Sequence, residues 1–128
     1  LADRCTFERG EAFATLQRLA ANGAKFDLVI ADPPAFVKSR KDLAVGVRGY
    51  RKLASLAASV VAPGGFLLMA SCSHNVDEAT FAEQVRRGLG KAGRTGRILR
   101  RAGAGPDHPI HISLPETAYL KAEVLQLD

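Results

Sequence analysis

The 128-residue sequence predicts an α/β fold with a mostly parallel sheet and an antiparallel C-terminal strand. Three observations lead there. Two short, almost wholly apolar runs, Phe26 to Ala31 and Phe66 to Ala70, have the length and composition of parallel strands buried on both faces. The segments around them repeat apolar residues at helical spacing. Proline and glycine stand at the joints, where a helix or a ladder has to stop.

In chain order, Cys5 to Glu8 is a short candidate strand. After Gly10, the stretch Glu11 to Leu19 places Phe13, Leu16 and Leu19 on one helical face, and Asn22-Gly23 supplies the stop. The run Phe26 to Ala31 ends on Asp32, and Pro33-Pro34 forbid its continuation. A polar stretch from Lys38 to Asp42 leads into a helix from Leu43 to Val61, with Leu53, Leu56, Ala57 and Val60 on one side. Pro63-Gly64-Gly65 closes it before the second apolar run, which continues into Ser71-Cys72-Ser73. Asp77 is a suitable N-cap for a helix from Glu78 to about Lys91, whose inner face is Phe81, Val85 and Leu89. A weaker strand covers Arg97 to Arg100. A proline-bearing loop spans Gly103 to Glu116, and Tyr119 to Leu127 alternates like a half-exposed closing strand.

Composition narrows the classes of function. A hydrophobic fraction of 47% fits one globular domain with a real core, not a disordered chain. No apolar run approaches the roughly 20 residues of a membrane span, and no signal-peptide pattern opens the chain, so no membrane role is expected. The start Leu1-Ala2-Asp3-Arg4 lacks an initiator Met, which suggests a piece of something longer. Cys5 and Cys72 have no metal-type spacing and form no disulfide framework, so no metal site is expected and a reducing cytoplasmic setting fits. A net charge of +5 favours a polyanionic partner. Much of the excess lies at Arg86, Arg87, Lys91, Arg94, Arg97, Arg100 and Arg101, either an RNA-phosphate surface or a plain solvated one.

In an open α/β sheet the ligand site lies beyond the C-terminal ends of the strands. Asp32-Pro33-Pro34-Ala35-Phe36 follows one apolar run and Ser71-Cys72-Ser73-His74 the next, so neighbouring strands would turn Asp32 and Cys72 toward one cleft. Further along come Arg48-Gly49-Tyr50, Gly64-Gly65, Asp107-His108-Pro109 and Tyr119-Leu120-Lys121. In this order the motifs resemble those of the ribosomal-RNA large-subunit cytosine-5 methyltransferases. That family belongs to the class I enzymes with a Rossmann-like core, and the likeness runs over nearly the whole chain from Phe7. Each triplet is weak alone; six in order are specific.

The resemblance implies a C-terminal portion of a methyltransferase domain that uses S-adenosyl-L-methionine to methylate RNA, most specifically ribosomal RNA. Cytosine carbon-5 is a poor nucleophile, and a thiolate added at carbon-6 makes it reactive. The resemblance puts Cys72 in that role and Asp32 as the group that holds the polar edge of the base. Pro33 and Pro34 fix the presenting loop, Phe36 stacks on an extruded base, and Arg48 contacts phosphate. Glu11 and Asp32 are implied on the cofactor side. Each has a bland counterpart: Cys72 as a small buried hydrophobe, Phe36 folded inward, Glu11 as a favourable helix-start charge. His108 and Lys121 carry no implied mechanism, and a structural role is the expectation for both.

Two departures bear on these expectations. Ala35 separates the prolines from the aromatic residue, which argues against methylation of an exocyclic amine. No glycine-rich cofactor loop precedes Asp32 and no further RNA-binding domain is present, so this piece alone is expected to bind cofactor weakly and turn over little. The strand Phe26 to Ala31 then lacks a neighbour, and either Cys5 to Glu8 pairs there or two chains form a homodimer through the bare edge. Two other readings stay open: an RNA methyltransferase for another atom with Cys72 structural, and a non-catalytic RNA-binding or dimerisation module of the same fold.

Overall fold

The computed structural model describes residues 2–128 and contains three helices and four strands. Helix α1 (Ala12–Ala21) starts where the Glu11 carboxylate accepts from the backbone N–H groups of Phe13 and Ala14, and it ends before Gly23, whose φ of 70° turns the chain. Strand β1 (Phe26–Ala31) stops at the two prolines. Helix α2 (Leu43–Val60) is the central helix, with Tyr50, Leu53, Ala54, Ala57 and Ala58 buried. Strand β2 (Val61–Ser71) follows it directly; its register with β1 slips between Phe26 and Leu28, where Pro63-Gly64-Gly65 interrupt the ladder. Helix α3 (Glu78–Lys91) is capped by Asp77 accepting from Thr80 N–H. Strands β3 (Gly96–Ala102) and β4 (Lys121–Leu127) close the chain.

The sheet order is β1-β2-β4-β3. Strands β1 and β2 pair in parallel, and β4 inserts antiparallel between β2 and β3. Three strands therefore share one direction and only the C-terminal strand opposes them, as the sequence predicts. The core joins Leu67, Met69, Leu125 and Leu127 of the sheet to Tyr50, Leu53, Ala57, Phe81, Val85 and Leu89 of α2 and α3.

Two expectations fail. Cys5 to Glu8 is not a strand: the segment has no ladder and is exposed, and Phe7 is 92% accessible, so β1 keeps a free edge. Double-sided burial of β1 and β2 fails as well. A doubly wound sheet needs helices on both faces, and here they cover only the face bearing Val29, Leu67 and Leu125. The register puts Leu28 beside Phe66 and Ile30 beside Leu68 on the other face, where Leu28 is 55% and Ile30 63% exposed.

Candidate active site

The C-terminal ends of the parallel pair β1 and β2 lie side by side, with Ala31 opposite Met69. The two segments leaving them, Asp32 to Val37 and Cys72 to Val76, are tied together by a buried hydroxyl cluster. Tyr50 Oη sits 2.7 Å from Ser73 Oγ and accepts from Ser71 Oγ at 2.8 Å. Val37 N–H donates to Ser73 Oγ at 3.2 Å, and Phe36 N–H reaches Tyr50 Oη at 3.5 Å. Ser73 N–H closes the turn onto Ser71 Oγ. The serines on either side of Cys72 thus fix both its own turn and the proline loop opposite.

Cys72 is half-buried, and its Sγ lies 3.9 Å from the Pro33 carbonyl oxygen. On its other side Lys121, opposite Ser71 in the ladder, donates Nζ to the carbonyls of Ser73 at 2.8 Å and Tyr119 at 2.6 Å. Burial pulls the Lys121 ammonium below the usual lysine range, while the nearby Cys72, Asp77 and Glu78 push it back up. Asp77 is itself held below the usual carboxylate range by the Thr80 N–H it accepts.

A cleft of about 580 Å³ opens between α1 and the end of β1, lined by Glu11, Phe13, Leu16, Asp32, Pro33 and Phe36 among others. Its walls are mainly apolar, with the exposed carboxylates of Glu11 and Asp32 at the rim. The backbone N–H of Ala14, then that of Phe13, hold Glu11 below its ordinary range. Lys52 Nζ lies 4.6 Å from the centroid of the Phe13 ring. The geometry suits a flat, partly apolar ligand with donors at one end.

The structure therefore brings Asp32, Pro33, Pro34, Phe36 and Glu11 to one cleft, but Cys72 does not line it: its sulfur stands against the Pro33 carbonyl, so the expected sharing of one cleft by Asp32 and Cys72 is not met. Phe36 folds inward: it stacks on Phe13 at 6.1 Å, tilts on Tyr50 at 4.8 Å, and presses against α2, where a Cβ on Gly49 would come 2.9 Å from its ring. Only its remaining edge reaches the cleft. Arg48 is exposed on α2. The basic cluster divides. Arg86 and Arg87 clamp Glu83, held down to about 2 by the two guanidiniums, and Arg101 pairs with buried Glu123. Arg94 donates to the carbonyls of Ala58, Val61 and Ala62 at the α2–β2 junction. His108 takes a structural position, with Nε2 3.1 Å from Tyr119 Oη.

Sequence reasoning gave no role to Tyr50, Ser71 or Ser73 and only a structural one to Lys121, although it quoted all four within motifs. The contacts that join these residues across the fold span 21 to 48 residues, and periodicity carries no information at that range. Among the described residues no group of His, Cys, Asp and Glu is placed to hold a metal, and no helix is long and apolar enough to cross a membrane.

Fold and site define a class: a Rossmann-like α/β sheet with a ligand cleft beyond its parallel strand ends. No protein-family model matches the chain. The ribosomal RNA large subunit methyltransferase I of Aeromonas salmonicida is 38% identical over 120 residues, which cover 94% of this chain and 30% of that protein. A ribosomal RNA large subunit methyltransferase of Deinococcus radiodurans is also 38% identical over 120 residues, 94% of this chain and 29% of that protein. The chain thus spans about 30% of the length of the curated relatives it matches. A SAM-dependent methyltransferase structure from Streptococcus mutans superposes with a TM-score of 0.72 at 21% identity, covering 91% of this chain and 29% of that one. A further methyltransferase structure, complexed with SAH, gives 0.73 at 20% over 91% and 30%. These likenesses identify the fold as the Rossmann-like one of methyltransferases.

Proposed function

We propose that this chain is the C-terminal portion of a SAM-dependent ribosomal RNA methyltransferase of the cytoplasm, and that it forms 5-methylcytosine with Cys72 as nucleophile. The observation that supports this most is the juxtaposition of the Cys72 turn with the Asp32-Pro33-Pro34 loop at the ends of two parallel strands, with Sγ 3.9 Å from Pro33 O. The 38% identity to proteins named ribosomal RNA methyltransferases supports the RNA substrate.

The residues present fit the adenosine end of S-adenosyl-L-methionine. Phe13, Leu16 and Pro33 offer apolar walls, and Glu11 and Asp32 offer acceptors for an amine or hydroxyl. When bound, that group supplies an electrophilic methyl. The chain's own residues do the rest. Cys72 Sγ adds to carbon-6 of the cytosine and moves the ring's electron pair to carbon-5, which takes the methyl. Loss of the carbon-5 proton then restores the double bond and expels the thiolate. Asp32 holds the base's polar edge, and Pro33 and Pro34 keep its loop stiff across Cys72. Phe36 acts chiefly by bracing that loop on α2, with one edge left toward the base. Arg48, exposed on α2, contacts an RNA phosphate. The open sheet face and free β1 edge fit a domain that continues beyond these residues; alone, the chain pairs with a second copy there.

The test is methyl transfer to unmodified ribosomal RNA by the whole protein carrying Cys72→Ser. Loss of at least a hundredfold is expected when a covalent nucleophile is removed. Retained activity would make Cys72 structural and move the methyl to another RNA atom. RNA binding without methyl transfer by the unaltered protein would leave a non-catalytic module.

A further inference from the structure

Lys121 stands at a position the reaction described above does not use. Its ammonium is half-buried at the end of β4, directly across the ladder from Ser71. Two of its N–H groups are committed to carbonyls of Ser73 and Tyr119. Ser73 is the residue after Cys72 and Ser71 the residue before it, so Lys121 meets one flank of the turn with its ammonium and the other with its backbone register. Lysine side chains lose substantial rotamer freedom when pinned, and a surface lysine rarely takes two main-chain acceptors at once. Further along the same strand, Leu125 and Leu127 carry apolar side chains into the core.

We propose that Lys121 is the charge partner and positioning residue of Cys72. Its ammonium holds the turn through Ser73 O and favours the deprotonated sulfur. This deepens the reading of Cys72 as nucleophile and rests on it. The S–H bond breaks, the proton passes to solvent, and the electron pair stays on sulfur in the turn that the ammonium holds through Ser73 O, the ammonium's own protonation unchanged. A neighbouring lysine is one of the arrangements that raise the thiolate fraction of a cysteine. The other charged groups around Lys121 come from α3, where Asp77 and Glu78 start the helix, and from β4 itself, where Glu123 is occupied by Arg101. Asp32, one residue before the Pro33 carbonyl beside Sγ, is the acid on the β1 side. Asp77 caps α3 through the Thr80 N–H, while Glu78 lies 4.0 Å from Arg101 Nε and can be neutralised without loss of the cap.

The experiment is alkylation of the whole protein with iodoacetamide between about pH 6 and pH 10, following the Cys72 peptide by mass spectrometry. Lys121→Met is expected to slow the reaction about tenfold at neutral pH and to leave the rate at pH 10 within about twofold, since only the thiolate reacts. Lys121→Arg should stay close to the unaltered protein at both ends. Glu78→Gln, which keeps Lys121 and the helix cap, should speed the neutral-pH reaction about twofold to threefold by removing an opposing charge. A purely structural Lys121 would change the rate by the same factor at every pH. That result, an unchanged profile in Lys121→Met, or no acceleration in Glu78→Gln would overturn the proposal. Methyl transfer plays no part in this readout. An intact alkylation effect with active Cys72→Ser enzyme would discard the nucleophile reading alone.

Discussion

At the scale of single residues, the Tyr50 hydroxyl is the junction on which the site depends. It is fully buried, serves Ser71 and Ser73 together, and reaches the Phe36 amide of the opposing loop. Replacing Tyr50 with Phe removes the hydroxyl that Ser71 and Ser73 share in the core, leaving each only its backbone N–H partner, and about 1–3 kcal/mol of stability should be lost in urea unfolding. Asp77 gives a pH signature. Its carboxyl lies below its ordinary value of 3.8 because the Thr80 N–H favours the charged form. A depressed folded-state value means a contribution fully present above about pH 4 and lost as the pH falls through the folded value. Asp77→Asn keeps a cap acceptor and removes the titration, so its stability should fall less steeply in acid than that of the unaltered protein. Asp77→Ala should cost about 1 kcal/mol at neutral pH by thermal melting. Asp77 was readable as a cap because capping is local. The places of Cys72 and Asp32 beyond the strand ends were readable because each follows an apolar run. The role of Tyr50 was not readable, because its partners are brought to it only by the packing of α2 beneath the sheet.

At the scale of elements, α2 and α3 pack tightly against each other. A Cβ on Gly88 would stand 2.6 Å from the Ala54 Cβ and 2.7 Å from the Arg51 carbonyl oxygen. Neither is the end of a flexible side chain, so the helices themselves have to part. Gly88→Ala should destabilise by about 1–3 kcal/mol despite the better helix propensity of alanine. The opposite sign in a denaturation experiment would mean that the helices sit further apart. All three helices were legible from 3.6-residue spacing, and the bounds of α3 match to the residue. The four strands were legible as strands, and the limits of composition show in one of them and in one segment that is not a strand. The run of Phe26 to Ala31 reads as buried on both sides, yet apolar residues look alike whether or not a helix lies above them. The segment Cys5 to Glu8 has strand-like residues but finds no partner, and a strand exists only through its neighbour's hydrogen bonds. The exchange of order that sets β4 between β2 and β3 is a property of three-dimensional closure, and only the alternation of Tyr119 to Leu127 hinted at an antiparallel strand.

At the scale of the whole molecule, the three helices cover one side of the sheet and leave Leu28, Ile30, Phe66 and Leu68 together on the other. Such a face, continuous with a free strand edge, promotes association. The 128-residue chain alone should sediment as a dimer or larger, and Leu28→Lys with Ile30→Lys should return it to a monomer. A monomer before substitution would mean that the face is covered in some other way. The central claim concerns chemistry, and the most direct measurement is a covalent trap. The whole protein would be incubated with S-adenosylmethionine and ribosomal RNA carrying 5-fluorocytosine, then run on a denaturing gel and mapped by mass spectrometry. Fluorine at carbon-5 cannot leave as a proton does, so a stable protein–RNA adduct on Cys72 is predicted. Methyl transfer to unmodified RNA with no adduct on the fluorinated one would contradict the carbon-5 mechanism and the role of Cys72 in it.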